Sequence, residues 1–297
     1  MSDILDPMYQ KMIEQIKLDA EIYADEQMKS VYKNQKVNLD ELHQYLGMLY
    51  IKHAENGLLN VNSQEKAVLL ADIDKKLKDM AKNLGKQEIK QVTNILADIY
   101  PMTYYHNAYI LDGGIKDTLK FDILRPEYID AAVNNPIDGK IFSDRIWANK
   151  ADLVDNVKSG IVDAMNGDIH LDKLARNIRQ RFNVSAYESQ RLVNTENARV
   201  QSQAIDDLGR NVGVTKQMYT ATLDNKTSEE CSALDGHIYD IDDPDKVVPP
   251  QNHPSCRCCL INMPSEEWRP QLRRNNETGE NVPYMTYEEW AKDKGID

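Results

Sequence analysis

All four cysteines of this chain lie in one segment near its C-terminus, together with two of its six histidines. The segment starts at Cys231, passes through His237 and ends in the run His253-Pro254-Ser255-Cys256-Arg257-Cys258-Cys259. Thiolate and imidazole are ligands that zinc prefers, usually in a tetrahedron. The clustering therefore predicts a bound metal or a clamp that closes a loop, in a fold that brings Cys231 to the run.

Three thiolates and one imidazole form the predicted metal site: Cys231, His253, Cys256 and Cys258. His237 and Cys259 are spare candidates, and the predicted cofactor is a structural zinc ion. If Cys258 and Cys259 lie in a strand, their side chains point to opposite faces, so only one of them should be a ligand. Two alternatives remain open, because the spacing lacks the paired CxxC of zinc fingers. The thiols could pack, reduced, in a small core, or Cys231 could form a disulfide with Cys256 or Cys258 outside the cell.

The same residues match no catalytic pattern. Zinc deaminases need His-x-Glu and Pro-Cys-x-x-Cys, whereas here His237 is followed by Ile238-Tyr239 and the cysteine spacing after Pro254 differs. The sequence also lacks the HExxH motif of metalloproteases. A cysteine nucleophile would need a paired base, which the pattern does not specify. We therefore predict no catalytic residue and a protein that is not an enzyme.

The rest of the chain is predicted to be helical from the spacing of its apolar residues. Asn38 is predicted to start a helix that Gly57 ends, and Gly85 to end the next one. Ser185 is predicted to open a later helix that Gly209 closes. Beyond it the period changes to that of short strands. The predicted fold class is therefore mainly α, with a small α+β C-terminal module that contains the Cys/His cluster.

The predicted organisation follows the order of the chain. The regions are a helical N-terminal region at 1–111, a connector at 112–142, a domain at 143–263 and a C-terminal tail at 264–297. The domain divides into a helical part at 143–209 and the Cys/His module at 214–263. In the tail, Thr286-Tyr287-Glu288-Glu289 is a capping-box pattern that predicts a short helix.

The acidic balance of the chain limits its partners. A net charge of −12 excludes a general nucleic-acid coat, because phosphate binding needs positive charge. Residues 173–216 are locally basic, with eight lysines and arginines against four acidic residues. The predicted nucleic-acid-binding residues are Arg176, Arg179, Arg181, Arg191 and Arg199. The alternatives are solvated helix faces with ordinary salt bridges or, for the face with Arg191, Thr195 and Arg199, a buried polar link into the Cys/His module.

No membrane partner is expected. Met1-Ser2-Asp3 leads into a charged helix and not into the apolar segment of a signal peptide. The sequence also has no run of about eighteen apolar residues, the length that a membrane-spanning helix needs.

The C-terminal half carries a series of short motifs between about Ser143 and Met263. They are Leu192-Val193-Asn194-Thr195-Glu196, Tyr219-Thr220-Ala221-Thr222-Leu223-Asp224 with Thr227, Cys231, Leu234-Asp235-Gly236, Pro249-Pro250 and His253-Pro254-Ser255-Cys256-Arg257-Cys258. In order and content they resemble the phage Mu F-like minor head proteins, the head-morphogenesis family of tailed phages. That family often has arginine where this chain has Asn194, so no charge role is assigned there. The tail motif Thr286–Trp290 resembles the tails of members from phages of Gram-positive hosts.

The resemblance implies a low-copy minor capsid protein of a tailed bacteriophage, which acts in procapsid assembly and in DNA packaging or ejection. The implied partners are the phage portal protein, the major capsid or scaffolding protein and the packaged double-stranded DNA. The implied location is the virion, in the capsid interior near the portal, after synthesis in the host cytoplasm. Two other classes remain open: a Cys- or zinc-dependent hydrolase or toxin-like effector, and a zinc-stabilised DNA-binding protein.

Overall fold

The computed structural model describes residues 7–114 and 119–295. Residues 1–6 of the predicted N-terminal region, with its charged start at Met1, residues 115–118 of the predicted connector and residues 296–297 of the predicted tail lie outside the described residues. In the described part, long helices precede a set of short strands. The predicted fold class, mainly α with a small C-terminal α+β module, is confirmed.

Most of the helices precede most of the strands along the chain. The helices of the described part are α1 (Tyr9–His53), α2 (Ser63–Gly114), α3 (Pro126–Val133), α4 (Phe142–Met165), α5 (Leu171–Val212), α6 (Glu229–Leu234) and α7 (Tyr287–Lys294). Its strands are β1 (Ala54–Glu55), β2 (Leu58–Leu59), β3 (Lys216–Thr220), β4 (Ile238–Asp240), β5 (Cys259–Asn262), β6 (Leu272–Arg274) and β7 (Asn281–Pro283). In the ranges 7–114 and 119–295, no helix is long and apolar enough to cross a membrane.

The chain forms two compact units. Unit 1 comprises Met1–Ala24, Asn94–Asn135 and Val193–Asp297, and unit 2 comprises Asp25–Thr93 and Pro136–Leu192. Helices α1, α2 and α5 therefore contribute residues to both units. The predicted region limits at 111, 142 and 263 follow the sequence order and remain predictions.

Unit 2 is built around an apolar core between segments of four helices. Leu42 of α1, Leu77 of α2, Ile161 of α4 and Ile178 of α5 are among its buried side chains. Such burial contributes about 25 cal/mol for each Å² of apolar surface removed from water, so the stabilisation is spread over many side chains.

One ion pair lies inside unit 2. Lys150 Nζ is 2.6 Å from Glu88 Oε2, and both side chains are at most 1% exposed. Lys150 also donates to the hydroxyls of Ser185 (3.2 Å) and Ser189 (3.5 Å). The predicted capping role of Ser185 is therefore wrong, since α5 runs through this residue and its hydroxyl serves the buried ammonium.

The predicted helix start at Asn38 is also wrong. Helix α1 runs through this position. The Asn38 amide donates to the carbonyl oxygen of Asn34 (2.8 Å), one turn back within the same helix. Because the side chain bonds inside the helix instead of capping a new one, a residue type that often begins helices is accommodated in an interior position.

Three glycines that were predicted to end helices have other roles. Gly57 lies in the turn of the β1–β2 hairpin at a φ of +80°, which favours glycine. Gly85 lies within α2, where a Cβ would be 2.4 Å from the ring of Trp147. Gly209 lies within α5, where a Cβ would be 2.6 Å from Asn262 Oδ1. At the last two positions, glycine permits close packing and does not end the helix.

The three-stranded sheet of unit 1 buries both of its faces. Its order is β4-β3-β5 and both pairings are antiparallel, with Met218 opposite Ile261 and Tyr219 opposite Leu260. Met218 and Ile261 lie in one apolar cluster with α1, and Tyr219 and Leu260 lie in another with α7. Side chains alternate between the faces of a strand, so a shift of one residue decides which cluster a side chain joins.

Candidate metal centre

Two short elements of unit 1 position the thiols. Cys231 lies in α6, and the hydroxyl of its N-cap residue Ser228 accepts a hydrogen bond from the Cys231 backbone N–H (3.3 Å). Cys256 and Cys258 lie in the loop that leads into β5. All three cysteines share one apolar cluster with Tyr219 of β3. The sheet and the capped helix therefore bring Cys231 to the C-terminal run.

The sulfur atoms of Cys231, Cys256 and Cys258 lie within 4.8 Å of one another. All three residues are buried and their thiols are free. The Cys231 and Cys256 sulfurs are 3.8 Å apart. Two thiolates of a tetrahedral zinc site with Zn–S bonds of about 2.3 Å are also about 3.8 Å apart. Three of the four predicted ligands therefore lie together at a spacing that suits zinc.

His253, the fourth predicted ligand, lies at the edge of this group. Its Nε2 is 3.1 Å from Cys231 Sγ, and its Nδ1 is 3.0 Å from the carbonyl oxygen of Pro254. If Nδ1 donates to that carbonyl, the Nε2 lone pair is free to accept a proton or bind a metal. Among the described residues, the ligand atoms that all lie within 4.8 Å of one another are the three sulfurs and not this imidazole. The half-buried ring would have to move closer to the group of sulfurs to complete a tetrahedron.

The pKa values of the three thiols are shifted in different directions. Hydrogen bonds with Cys256 and Cys258 stabilise the Cys231 thiolate and, against the effect of burial, hold the pKa of Cys231 far below its ordinary value. The pKa values of Cys256 and Cys258 are raised, because each hydrogen bonds with Cys231 and a second negative charge beside that thiolate is unfavourable. The thiolate is the form that binds metal, so a divalent cation would favour ionisation of all three.

The two spare candidates lie outside the thiol group. Cys259, the first residue of β5, lies in the apolar cluster with Ile261, on the opposite face of the sheet from Cys258. Burial raises the pKa of the Cys259 thiol to about 12. His237 is exposed, and its ring packs against Tyr239 with ring centroids 4.5 Å apart. The structure thus separates both residues from the cluster.

Two neighbours of the thiols were not predicted from the sequence. The Tyr219 hydroxyl donates to Cys231 Sγ (3.3 Å), and the Asn252 amide donates to the same sulfur (2.9 Å) and to the Tyr219 oxygen (3.1 Å). Burial raises the pKa of Tyr219 well above its ordinary value, so its hydroxyl stays a donor. Both groups favour negative charge on Cys231. The available signal was the alternation of β3, which places Tyr219 on the face opposite Met218.

Thr195 ties α5 to the cluster loop. Its Oγ1 accepts a hydrogen bond from the backbone N–H of Ser255 (3.0 Å), a residue in the left-handed region with a φ of 58°. This is the polar link into the Cys/His module that the sequence left open as one alternative for this face of α5. The bond holds the loop in place directly before Cys256.

A buried ion pair holds the C-terminal segment on the module. Arg273 of β6 has no exposed side-chain surface, and its Nη1 is 2.8 Å from Asp235 Oδ2. The guanidinium also donates to the carbonyl oxygens of Ala221 (2.5 Å) and Met285 (2.7 Å). Asp235 accepts hydrogen bonds from the backbone N–H groups of Ala221 and Tyr287, both at 2.7 Å. The carboxylate of Asp235, one of the motif residues, thus stabilises the interior of the module.

Asp224, another motif residue, has a similar role. Arg257 donates to both of its carboxylate oxygens, with an Nη2–Oδ1 distance of 2.7 Å. Burial raises the pKa of Asp224, but hydrogen bonds from Arg257, the Lys226 backbone and Thr227 outweigh it and hold this pKa below its usual value. The Tyr287 hydroxyl of α7 donates to the Asp224 carbonyl oxygen (3.0 Å). The residues that carry the family resemblance therefore brace turns and strands from within.

Four of the predicted nucleic-acid-binding residues are exposed on the part of α5 in unit 2: Arg176, Arg179, Arg181 and Arg191. Arg191 forms a salt bridge with Glu188 at 3.7 Å, as the alternative of an ordinary helix face predicts. Exposed pairs of this kind contribute at most about 1 kcal/mol. A role of these four residues in DNA binding remains a prediction.

The structure corrects the prediction that Arg199 binds nucleic acid, because the Arg199 side chain is buried in unit 1. Its Nε is 2.6 Å from Glu196 Oε2. Its two terminal nitrogens donate to the carbonyl oxygens of Ala132 (2.6 Å) and Val133 (3.0 Å). A guanidinium engaged in this way cannot also face a phosphate. The prediction of a phosphate contact at Arg199 was wrong because the helical spacing did not show that α3 would cover this side chain.

Comparison with known proteins finds a family match in the part of the chain that contains this module. Residues 155–261 match the family described as Phage Mu protein F like protein. This range contains all three clustered cysteines and His253, together with Asp224 and Asp235. The predicted resemblance to the Mu F-like head proteins is therefore confirmed for this part of the chain.

Two curated proteins are similar over more of the chain. NAD(+)--arginine ADP-ribosyltransferase EFV of Enterococcus faecalis (strain ATCC 700802 / V583) is 27% identical over 209 residues, 64% of this chain and 42% of that protein. Minor head protein GP7 of Bacillus phage SPP1 is 23% identical over 293 residues, 91% of this chain and 92% of that protein. No solved structure matches the chain.

The family match and the match to the minor head protein together support a phage head protein. The chain spans less than half of the ADP-ribosyltransferase that it matches. That match alone therefore assigns no activity to this chain.

Proposed function

We propose that this protein is a low-copy minor head protein that enters the procapsid with the portal and stays in the capsid interior of the virion. The observation that supports this most is the similarity to Minor head protein GP7, which extends over 91% of this chain and 92% of that protein. A module shared between proteins of different roles would cover only part of each. The proposed partners are the portal protein, the major capsid or scaffolding protein and the packaged DNA.

In this proposal the protein works by docking and catalyses no reaction. Asp224, Asp235 and Cys231 carry the family resemblance and hydrogen bond inside the module, and Thr195 of α5, which also carries it, hydrogen bonds to the module's loop. Such bonds keep the module rigid, so that its outer surface presents a fixed shape to the capsid proteins.

The test is assembly with the cognate capsid proteins. Co-expression with portal, scaffolding and major capsid proteins should give procapsids that contain a few copies of this chain, with its density near the portal vertex in electron cryomicroscopy. Procapsids made without the portal protein should contain none. Absence of the chain from complete procapsids would contradict the proposed function, and equal incorporation without the portal would contradict docking at the portal.

We also propose that the module binds one structural zinc ion through Cys231, Cys256 and Cys258, with His253 as the fourth ligand. Support comes from the three buried sulfurs, which lie within 4.8 Å of one another, and from the 3.8 Å separation of the Cys231 and Cys256 sulfurs. The Asn252 and Tyr219 donors would stabilise the coordinated thiolate from outside the ligand set.

A second candidate function is an enzyme, which the 27% identity to an ADP-ribosyltransferase favours. Purified protein incubated with labelled NAD+ and an arginine-containing acceptor distinguishes the two candidates. We expect no transfer of label to the acceptor. Transfer above the level of the acceptor alone would favour the enzyme and contradict a purely structural role.

A further inference from the structure

Four exposed lysines form a row on α2 within unit 2. Lys78, Lys82, Lys86 and Lys90 follow one another at intervals of four residues, and all four are exposed. Residues four apart lie on the same side of a helix. With a rise of about 1.5 Å per residue, adjacent members are about 6 Å apart along the axis and the row is about 18 Å long. We call this row the lysine ridge.

Carboxylates neutralise little of the lysine ridge. From residue 75 to residue 90 the acidic residues are Asp79, which is exposed, and Glu88, which is fully buried in the ion pair of the unit 2 core. Asp74 is 2.6 Å from Lys78 Nζ and also pairs with Lys158, so the first lysine of the ridge has a partner. For the other three members, the described part of the chain offers no ion pair.

The lysine ridge is unfavourable for the helix that carries it. Like charges four residues apart destabilise a helix about as much as an opposite pair stabilises it. The sequence repeats this arrangement three times in succession, in a chain whose net charge is −12. An anionic partner outside the chain would convert this repulsion into a favourable interaction.

We propose that the lysine ridge binds the phosphate backbone of duplex DNA without sequence preference. An ammonium group attracts phosphate as a point charge, and such backbone contacts carry no sequence information. A duplex carries about one negative charge per 1.7 Å of its axis, so a row of cations, inclined by about 26° to the helix axis, can contact several phosphates and release their counterions. This surface on α2 is additional to the predicted DNA-binding arginines of α5. The inference rests on the proposed head function in one respect, namely that the capsid interior is where the protein meets DNA.

Fluorescence anisotropy with a labelled duplex of mixed sequence, over a series of NaCl concentrations, tests this surface. In the variant Lys82→Gln/Lys86→Gln/Lys90→Gln, the negative slope of log Kobs against log salt should become shallower by about 2 to 3, because each lost phosphate contact removes about 0.9 from its magnitude. A control variant, Lys36→Gln/Lys52→Gln/Lys140→Gln, removes the same charge from exposed positions of unit 2 that lie in no such row and outside the basic stretch 173–216. Its slope should differ from that of the wild type by less than about 1.

Thermal unfolding of the same proteins separates binding from folding. The ridge variant should melt at or above the wild-type temperature, because it loses repulsion between lysines. Equal slopes for the wild type and the ridge variant, or equal losses in the ridge and control variants, would overturn the proposal. These outcomes are independent of the head function, since a chain that binds DNA through the ridge and is absent from procapsids would refute the head function alone.

Discussion

The two units of this chain are stabilised in different ways. The core of unit 2 consists mainly of apolar side chains from four helical segments, each of which adds a small share, with the Lys150–Glu88 pair buried in the same unit. The module of unit 1 has short strands, and its interior contains three free thiols and the Asp235–Arg273 ion pair. A buried charge that loses its partner costs more than a lost methylene group. Single polar residues should therefore matter more in the module than single apolar residues matter in unit 2.

The largest effect is expected from Arg273→Met. This change leaves the Asp235 carboxylate, which is 2% exposed, without its cation. We expect the free energy of unfolding to fall by about 3–5 kcal/mol, as for other broken buried ion pairs. Urea unfolding of the purified variant measures this. Arg269→Met, at an exposed arginine four residues earlier, is the control and should change stability by less than about 0.5 kcal/mol. Similar losses in both variants would remove the proposed brace.

A smaller loss is expected from Cys231→Ser, which removes a proposed zinc ligand and the sulfur that accepts from Tyr219 and Asn252. The variant should lose about 2 kcal/mol or more, and a chelator should lower the melting temperature of the wild type but not of the variant. Cys259→Ser is the matched control, because this cysteine is also buried but lies on the other face of the sheet. It should respond to the chelator as the wild type does. A chelator that affects no protein would contradict the metal clamp.

In unit 2, two glycine substitutions should have opposite signs. Gly85→Ala places a methyl group 2.4 Å from the Trp147 ring and should cost about 1–3 kcal/mol by overpacking. Gly47→Ala meets nothing within 4 Å and should stabilise α1 by up to about 1 kcal/mol, since alanine favours a helix. Denaturant midpoints of both variants measure the difference. A stabilising Gly85→Ala would contradict the close packing of α2 and α4.

The smallest effect is expected for the pH dependence of Asp224. Because its pKa is lower in the folded state, its ionised form favours folding. This contribution is complete above the usual aspartate pKa of about 4 and is lost as the pH falls through the folded value. Asp224→Asn should therefore be less stable than the wild type at pH 6, and the gap should narrow toward pH 3. Urea unfolding at both pH values measures the gap, and a constant gap would contradict the role of Arg257.

The sequence was sufficient for features that local chemistry determines. Thr286 caps α7 with the predicted capping box, because a hydroxyl at the start of a helix satisfies a free N–H of the first turn. The opposite directions of Cys258 and Cys259 follow from the period of a strand. The proximity of Cys231 to the C-terminal run was also predicted, since the residue types suggested a shared ligand set.

The remaining errors concern contacts between segments far apart in the sequence. Gly85 ended a predicted helix because glycine is a common terminator, but Trp147, which makes glycine necessary there, lies 62 positions away. The local sequence at Ser185 resembles a helix N-cap, but it does not show that the Ser185 hydroxyl accepts a hydrogen bond from the buried ammonium of Lys150. Burial of Arg199 depends on its contact with α3, a helix that lies within the predicted connector at 112–142. Local patterns give the residue's preferences but not the partner that satisfies them.

We propose that Cys231, Cys256 and Cys258 form one metal-binding brace of the module. Elemental analysis of protein purified without chelator and dialysed against zinc tests it most directly. We expect about one zinc per chain for the wild type and for Cys259→Ser, and nearly none for Cys231→Ser and Cys256→Ser. A wild-type protein without zinc, or an equal zinc content in all four proteins, would contradict it.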